Sequence, residues 1–320
     1  ITIEAYQSEI VTIDGTVDIT GAWSAYGSVS GAFQLAYSTE ITQLFVDDLQ
    51  MVNARWPNAQ FNDDSIFSWD TWAQGDENTN SNGTPNDLSI AGSLVIDETV
   101  ANPSLLDLNN SIGILNIGSF KTESVKITSH TQNASSNDVI TYTHDTSSAD
   151  DDDYQSTYKD KHHYYFFEGK VNFLDVNNEW FNDTVNNILY LFPDDGLDPS
   201  SRSIKGKTTD HAITFSGASY INFKKINFFA TTIKLENSDY ITIEECNFYY
   251  PSTSSRMLGL TSGLGMPNVT SLDNSSDNNT IKKCLFENTE GEALRIQGDN
   301  NTVENNYFHH IDWSSSNTAG

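Results

Sequence analysis

Four lines between Tyr220 and Trp313 repeat one pattern: YINFKKINFFA from Tyr220, YITIEECNFYY from Tyr240, NTIKKCLFENT from Asn279 and NTVENNYFHHI from Asn301. In each, an apolar residue (Phe223, Ile243, Ile281, Val303) is followed three positions later by a second one-sided position (Ile226, Cys246, Cys284, Asn306). A Phe comes two residues after that, and Phe228, Phe248, Phe286 and Phe308 fall 20, 38 and 22 residues apart. A period of roughly 20 to 25 residues with strand-like alternation and polar corners is the signature of a solenoid of β-coils. Each coil has an apolar face that only its neighbour can cover. Like residues then stack on like at the ~4.8 Å spacing of paired strands.

The expected fold is all-β, a right-handed parallel β-helix with hairpin and loop insertions; an antiparallel sandwich is the competing reading. The 38-residue step is one coil plus an excursion, placed in the Ser/Gly/Asn-rich loop 252–278. The chain reads as one β-helix domain over 1–320, with insertions at about 33–103 and 133–200. Because it starts inside an apparent strand and stops after a fourth repeat, a leader and a coil are expected before Ile1. Further coils, or self-association, are expected after Gly320.

With 16 Lys and Arg against 44 Asp and Glu, the net charge is −28. Such a surface repels nucleic acid and anionic membranes, and it fits a secreted protein of a saline environment. No run of apolar residues is long enough to span a bilayer. There is no Gly-rich phosphate loop, zinc-ligand spacing or basic patch. Cys246 and Cys284 occupy equivalent positions of adjacent coils and should stack as buried thiols; a disulfide is the alternative, for which in-register strands orient the Cβ atoms poorly.

In chain order, ITIEAYQSEIVTIDGTVDITGAW alternates apolar and polar residues with Gly15 and Gly21 as corners. Leu44 to Val46 reads as a strand, Asp47-Asp48 as a turn and Met51 to Val52 as a second strand. Coils are expected to resume between Leu106 and Ile127. Glu179 to Phe181 and Ile188 to Phe192 read as a hairpin, anchored by Trp180 and closed by a Pro193 to Gly196 turn.

LFVDDLQMVNARWPN (Leu44 to Asn58), EWFNDTVNNILYLFPDDG (Glu179 to Gly196) and the coils after Tyr220 resemble secreted, mostly marine β-helix proteins of the pectate-lyase-like superfamily. That group contains glycoside hydrolases, polysaccharide lyases and members of unassigned activity, so the resemblance specifies fold more than reaction. GEALRIQGDNNTVENNYF (Gly291 to Phe308) resembles a coil of the alginate lyase and chondroitinase B group. The likeness gives Arg295 the place of that group's charge-stabilising arginine. Those enzymes also use a catalytic Lys and calcium-binding carboxylates from neighbouring coils; here the preceding coil offers Arg256 and no Lys.

Two chemistries follow. In β-elimination, Arg256 and Arg295 would clamp a uronate carboxylate through paired hydrogen bonds, and His309 or His310 would remove the proton. In hydrolysis, two carboxyl groups flank the bond, and the candidates are Glu290, Glu292 and Asp312; Glu244 and Glu245 lie mid-strand. Trp313, Tyr249 and Tyr250 are candidate sugar platforms, since aromatic faces pack against C–H groups. Within the Asp150 to Asp153 run, Asp150 and Asp152 are the candidate calcium ligands, with a solvated charge run as the alternative. The expected partner is a polysaccharide, cleaved by hydrolysis in preference to elimination. The alternative function is a non-catalytic extracellular structural, adhesive or filament-forming protein.

Overall fold

The computed structural model describes residues 1–74, 93–96, 106–118, 121–131, 138–142, 164–253 and 269–313. Arg256, Asp150, Asp152 and the His162-His163 pair lie outside them, as does most of the 252–278 loop. Among the described residues the protein is all-β, interrupted by three-residue 3₁₀ turns such as Ser65–Phe67 and Trp69–Thr71.

Three parallel sheets carry the repeat. The first face stacks Thr2–Glu4, Asn222–Lys224, Thr242–Glu244, Thr280–Lys282 and Thr302–Glu304. The second stacks Val11–Asp14, Ile226–Phe229, Asn247–Tyr249, Leu285–Glu287 and Tyr307–His309. The third stacks His211–Ser216, Thr232–Glu236, Thr270–Leu272 and Leu294–Ile296. Register follows the four sequence lines. Phe248 sits opposite Phe286 despite the longer step, so the register is kept across it. The rings of Phe228, Phe248, Phe286 and Phe308 stack at 4.7, 4.8 and 5.2 Å with nearly parallel planes, the first three fully buried. Cys246 and Cys284 are buried and free, as the repeat implied; each thiol donates to backbone carbonyls.

The corners between faces place residues with full side chains in the left-handed region. Lys225, Glu245, Lys283 and Asn305 all have φ between 54° and 56°. Ala230, Tyr250, Asn288 and His310 have φ between 51° and 57°. A left-handed conformation costs a residue with a side chain about 1–2 kcal/mol. Below the last described rung these corners are offset by the rung above: the Lys225, Glu245 and Tyr250 N–H groups donate to the carbonyls of Glu244, Lys282 and Glu287 at 3.1, 3.2 and 2.9 Å.

On the first face the outward residues Glu4, Lys224, Glu244, Lys282 and Glu304 fall in register, so charge alternates up the sheet. Glu244 is held by Lys224 at 2.9 Å and Lys283 at 3.1 Å. These lysines pull its carboxyl down to about 2. Opposite charges directly across a sheet stabilise it, which gives Glu244 and Lys282 a structural use.

The chain leaves the solenoid after Val11–Asp14 and re-enters at His211–Ser216. Between these points Thr16–Asp18 pairs antiparallel with Ile204–Lys207, joining the outgoing and returning segments. Ile112–Gly118 and Lys121–Thr131, expected as coils, instead pair antiparallel with each other. Their alternation fits either arrangement, but strands this close in sequence can only form a hairpin, because parallel partners need a long crossover. The Glu179–Asp183 and Ile188–Phe192 hairpin is present, with Trp180 Nε1 donating to Met51 O at 3.2 Å. Asp47 and Asp48 form the expected turn, both at positive φ. The returning strand is Leu49–Gln50, because a two-residue turn places Leu49 opposite Val46; Val52–Asn53 pairs with Glu179 and Trp180.

Glu179 is fully buried and accepts backbone N–H groups of Asp175 at 3.1 Å and Arg55 at 3.3 Å. Burial nevertheless pushes its carboxyl up to about 8. The folded state therefore holds this proton more tightly than the unfolded chain, and the associated stability is present below the usual carboxylate range and lost as pH rises through about 8. The melting temperature of Glu179→Gln should accordingly fall less between pH 5 and 8 than that of the wild type. Parallel pH profiles for the two proteins would refute this.

Candidate functional site

Reading the second face outward, one position past each stacked Phe, gives Phe229, Tyr249, Glu287 and His309 on consecutive rungs. The next position gives the corner residues Ala230, Tyr250, Asn288 and His310. Alternation sends Phe inward and its successor outward, so the repeat that fills the core also builds this surface. The inserted segment covers its lower part. Phe45, fully buried, packs on Phe229 at 4.8 Å and on Tyr250 at 5.0 Å. Higher up, Phe67 stacks on His310 at 4.6 Å, and Trp313 meets Phe61 edge to face at 5.7 Å.

Between these contacts lies a cleft of about 310 Å³. Tyr250, Glu287, Asn288 and His310 form its solenoid wall; Gln50, Gln60, Phe67, Asp194 and Arg202 are on the inserted wall. Glu287 Oε1 lies 3.0 Å from His309 Nδ1. His310 Nδ1 lies 3.2 Å from Asn288 Oδ1, and its Nε2 is 3.6 Å from Asp64. Burial, followed by the Glu287 charge, pushes the Tyr250 phenol above its ordinary pKa, which keeps it a hydrogen-bond donor. Arg202 is held by Asp47 at 2.7 Å, by Asp194 and by Asp195 at 3.8 Å. Its guanidinium pulls the Asp47 carboxyl below the usual range.

Two cleft residues carry a buried acceptor that receives no hydrogen bond, Gln50 Oε1 and Gln60 Oε1. Such a group costs about 1–3 kcal/mol, which a hydroxyl donor from a ligand would recover. The cleft thus combines hydrogen-bond acceptors, an aromatic wall and carboxyl groups on both sides.

Of the residues singled out from sequence, His310 and Tyr250 line this cleft, while His309 and Tyr249 flank Glu287 on adjacent rungs. Trp313 is 5% exposed and packs with Val52, Ala59 and Ile66, so it anchors the inserted segment and offers no open sugar platform. Glu290 is fully buried. Thr253 Oγ1 donates to it at 3.3 Å, and with Asp210 it acts on buried Lys207, whose ammonium is pushed down to about 8 by burial. Glu290 is therefore a counter-charge in the core rather than a group that meets a substrate. Arg295 lies on the third face opposite Ser271, and neither it nor Glu292 nor Asp312 lines the cleft. The expected pairing of Arg295 with His309 or His310 is not assembled: the arginine lies on the third face, His309 on the second and His310 at the corner that follows it. Among the described residues no group of three or more His, Cys, Asp or Glu side chains could hold a metal ion.

Sequence reasoning missed Glu287, Gln50, Gln60, Asp194 and Arg202. For Glu287 the signal was available, since aligning the four lines on Phe stacks it between Tyr249 and His309. The other four come from the insertion, whose docking no repeat announces.

No protein-family model matches the chain, and no curated protein matches it. A solved structure described as "Glycoside hydrolase" superposes on 92% of the chain with a TM-score of 0.64 at 14% identity. The chain spans 55% of that protein's length. The likeness is one of fold.

Proposed function

We propose that this chain is a carbohydrate-active protein, built on a right-handed β-helix of the pectate-lyase-like kind, that hydrolyses a neutral polysaccharide outside the cell. The carrying observation is the cleft itself, where Glu287, backed by His309, and Asp194 stand on facing walls. Glycoside hydrolysis needs two carboxyl groups flanking the bond. Glu287 is assigned proton transfer, His309 positions it, and Gln50, Gln60 and Tyr250 bind sugar hydroxyls. The fold likeness to a glycoside hydrolase supports the same class.

Elimination is disfavoured by the charge balance. It requires a cation to neutralise a uronate carboxylate, and the one guanidinium among the described cleft residues, Arg202, already faces three aspartates. For the same reason a neutral sugar chain fits better than an acidic one.

Calorimetric titration with neutral, sulfated and uronate-containing polysaccharides tests the assignment. A neutral polymer should bind, and Gln50→Leu should weaken it by about tenfold, a loss of one to two hydrogen bonds. Undiminished binding by Gln50→Leu would remove the cleft as the substrate site. Binding without any cleavage would favour the non-catalytic, adhesive reading.

A further inference from the structure

A second pocket, sharing no residue with the cleft, lies within the inserted segment beside the Glu179–Asp183 strand. Its volume is about 170 Å³. Asn53 is only 6% exposed, yet its Oδ1 receives no hydrogen bond; Asn182 Nδ2 is also buried and finds no acceptor. Both side chains line the pocket. The register places Asn53 opposite Trp180, so Asn53 and Asn182 fall on one face of the paired strands at neighbouring positions. Asn182 Oδ1 is already used, accepting from Ile41 N at 3.3 Å.

A native fold leaves few buried polar groups unpaired, and two such atoms of opposite type in one pocket are a donor and an acceptor waiting for the same partner. A hydroxyl serves both, because it donates and accepts. Ile41, Ile112 and Phe181 supply apolar wall, the surface that the C–H face of a sugar ring packs against. Lys126, Glu40 and Asp183 also line the pocket, one cation against two carboxylates, which disfavours an anionic occupant.

We propose that this pocket is a second, non-catalytic binding site for a single neutral sugar residue. It stands on the two asparagines and does not depend on the chemistry assigned to Glu287. In a protein acting on a polymer, such a site would hold a side branch or a chain end while the cleft engages the backbone.

The test is saturation-transfer NMR and calorimetry with D-glucose, D-galactose, D-mannose and L-fucose, together with crystals soaked in whichever sugar binds. At least one sugar should bind. Asn53→Leu and Asn182→Ala should each weaken it by about tenfold, and Gln50→Leu should leave it unchanged. The proposal is overturned if none of the four sugars binds, if Gln50→Leu and not the asparagine variants weakens binding, or if soaked crystals hold only ordered water in the pocket. Should Asn53→Leu fail to fold, Asn182→Ala and the soaked crystal decide.

Discussion

Replacing Glu287 with Gln should remove turnover and leave the fold intact. The side chain points outward from the second face between Tyr249 and His309, so the substitution keeps shape and rung-to-rung packing. It exchanges one charged contact with His309 Nδ1, at 3.0 Å, for a neutral one. Proton transfer by a placed carboxyl contributes about 10²–10⁴-fold to rate, and a fall in kcat of that size is expected. Affinity for the polysaccharide should persist, because Gln50, Gln60 and Tyr250 remain. His309→Ala should cost less, since that ring acts through Glu287, and it should shift the pH dependence of kcat rather than abolish activity. Full activity in Glu287→Gln would move catalysis to another carboxyl group, with Asp194 the next to replace.

Phe248→Ala should be the most destabilising single change in the solenoid. The ring is fully buried between Phe228 at 4.7 Å and Phe286 at 4.8 Å. Removing it deletes a whole rung of the ladder, and the rigid strands on either side cannot close the gap. The expected loss is about 3–5 kcal/mol. Phe308→Ala is the internal control: it occupies the same column but is 42% exposed, so it should cost a fraction of that. Denaturant unfolding followed by circular dichroism measures both, and equal losses would show that the ring column is not what holds the coils together.

How legible the molecule is from sequence follows from where information about contacts resides. Phe228, Phe248, Phe286 and Phe308 repeat, so their stacking, the adjacency of the free thiols Cys246 and Cys284 and the register kept across the 38-residue step are legible in the sequence. Repetition in sequence is repetition in space. The same logic overreaches at Ile112 and Val125, where alternation predicts coils and the strands pair antiparallel; a period of two states which residues share a face but not whether the neighbouring strand runs parallel. Trp313 misled for a related reason, since an aromatic beside a polar corner looks exposed until the segment that covers it, here Ala59 to Ile66, is in place. The cleft was half legible. Its solenoid wall lies in the repeats, whereas Gln50, Asp194 and Arg202 come from segments brought together by the pairing of Leu44–Val46 with Ile204–Lys207 and of Val52–Asn53 with Glu179–Asp183, across sequence distances that no local pattern encodes.

The central claim is that a glycosidic bond is hydrolysed in the cleft between the second face and the inserted segment. Mass spectrometry of oligosaccharides released from neutral and uronate-containing polysaccharides in heavy-oxygen water tests it most directly. Each cleavage should place one heavy oxygen on the fragment that carries the new reducing end, and release by Glu287→Gln should fall by about 10²–10⁴-fold. Unsaturated products lacking that oxygen would contradict it, as would labelled products formed equally well by the variant.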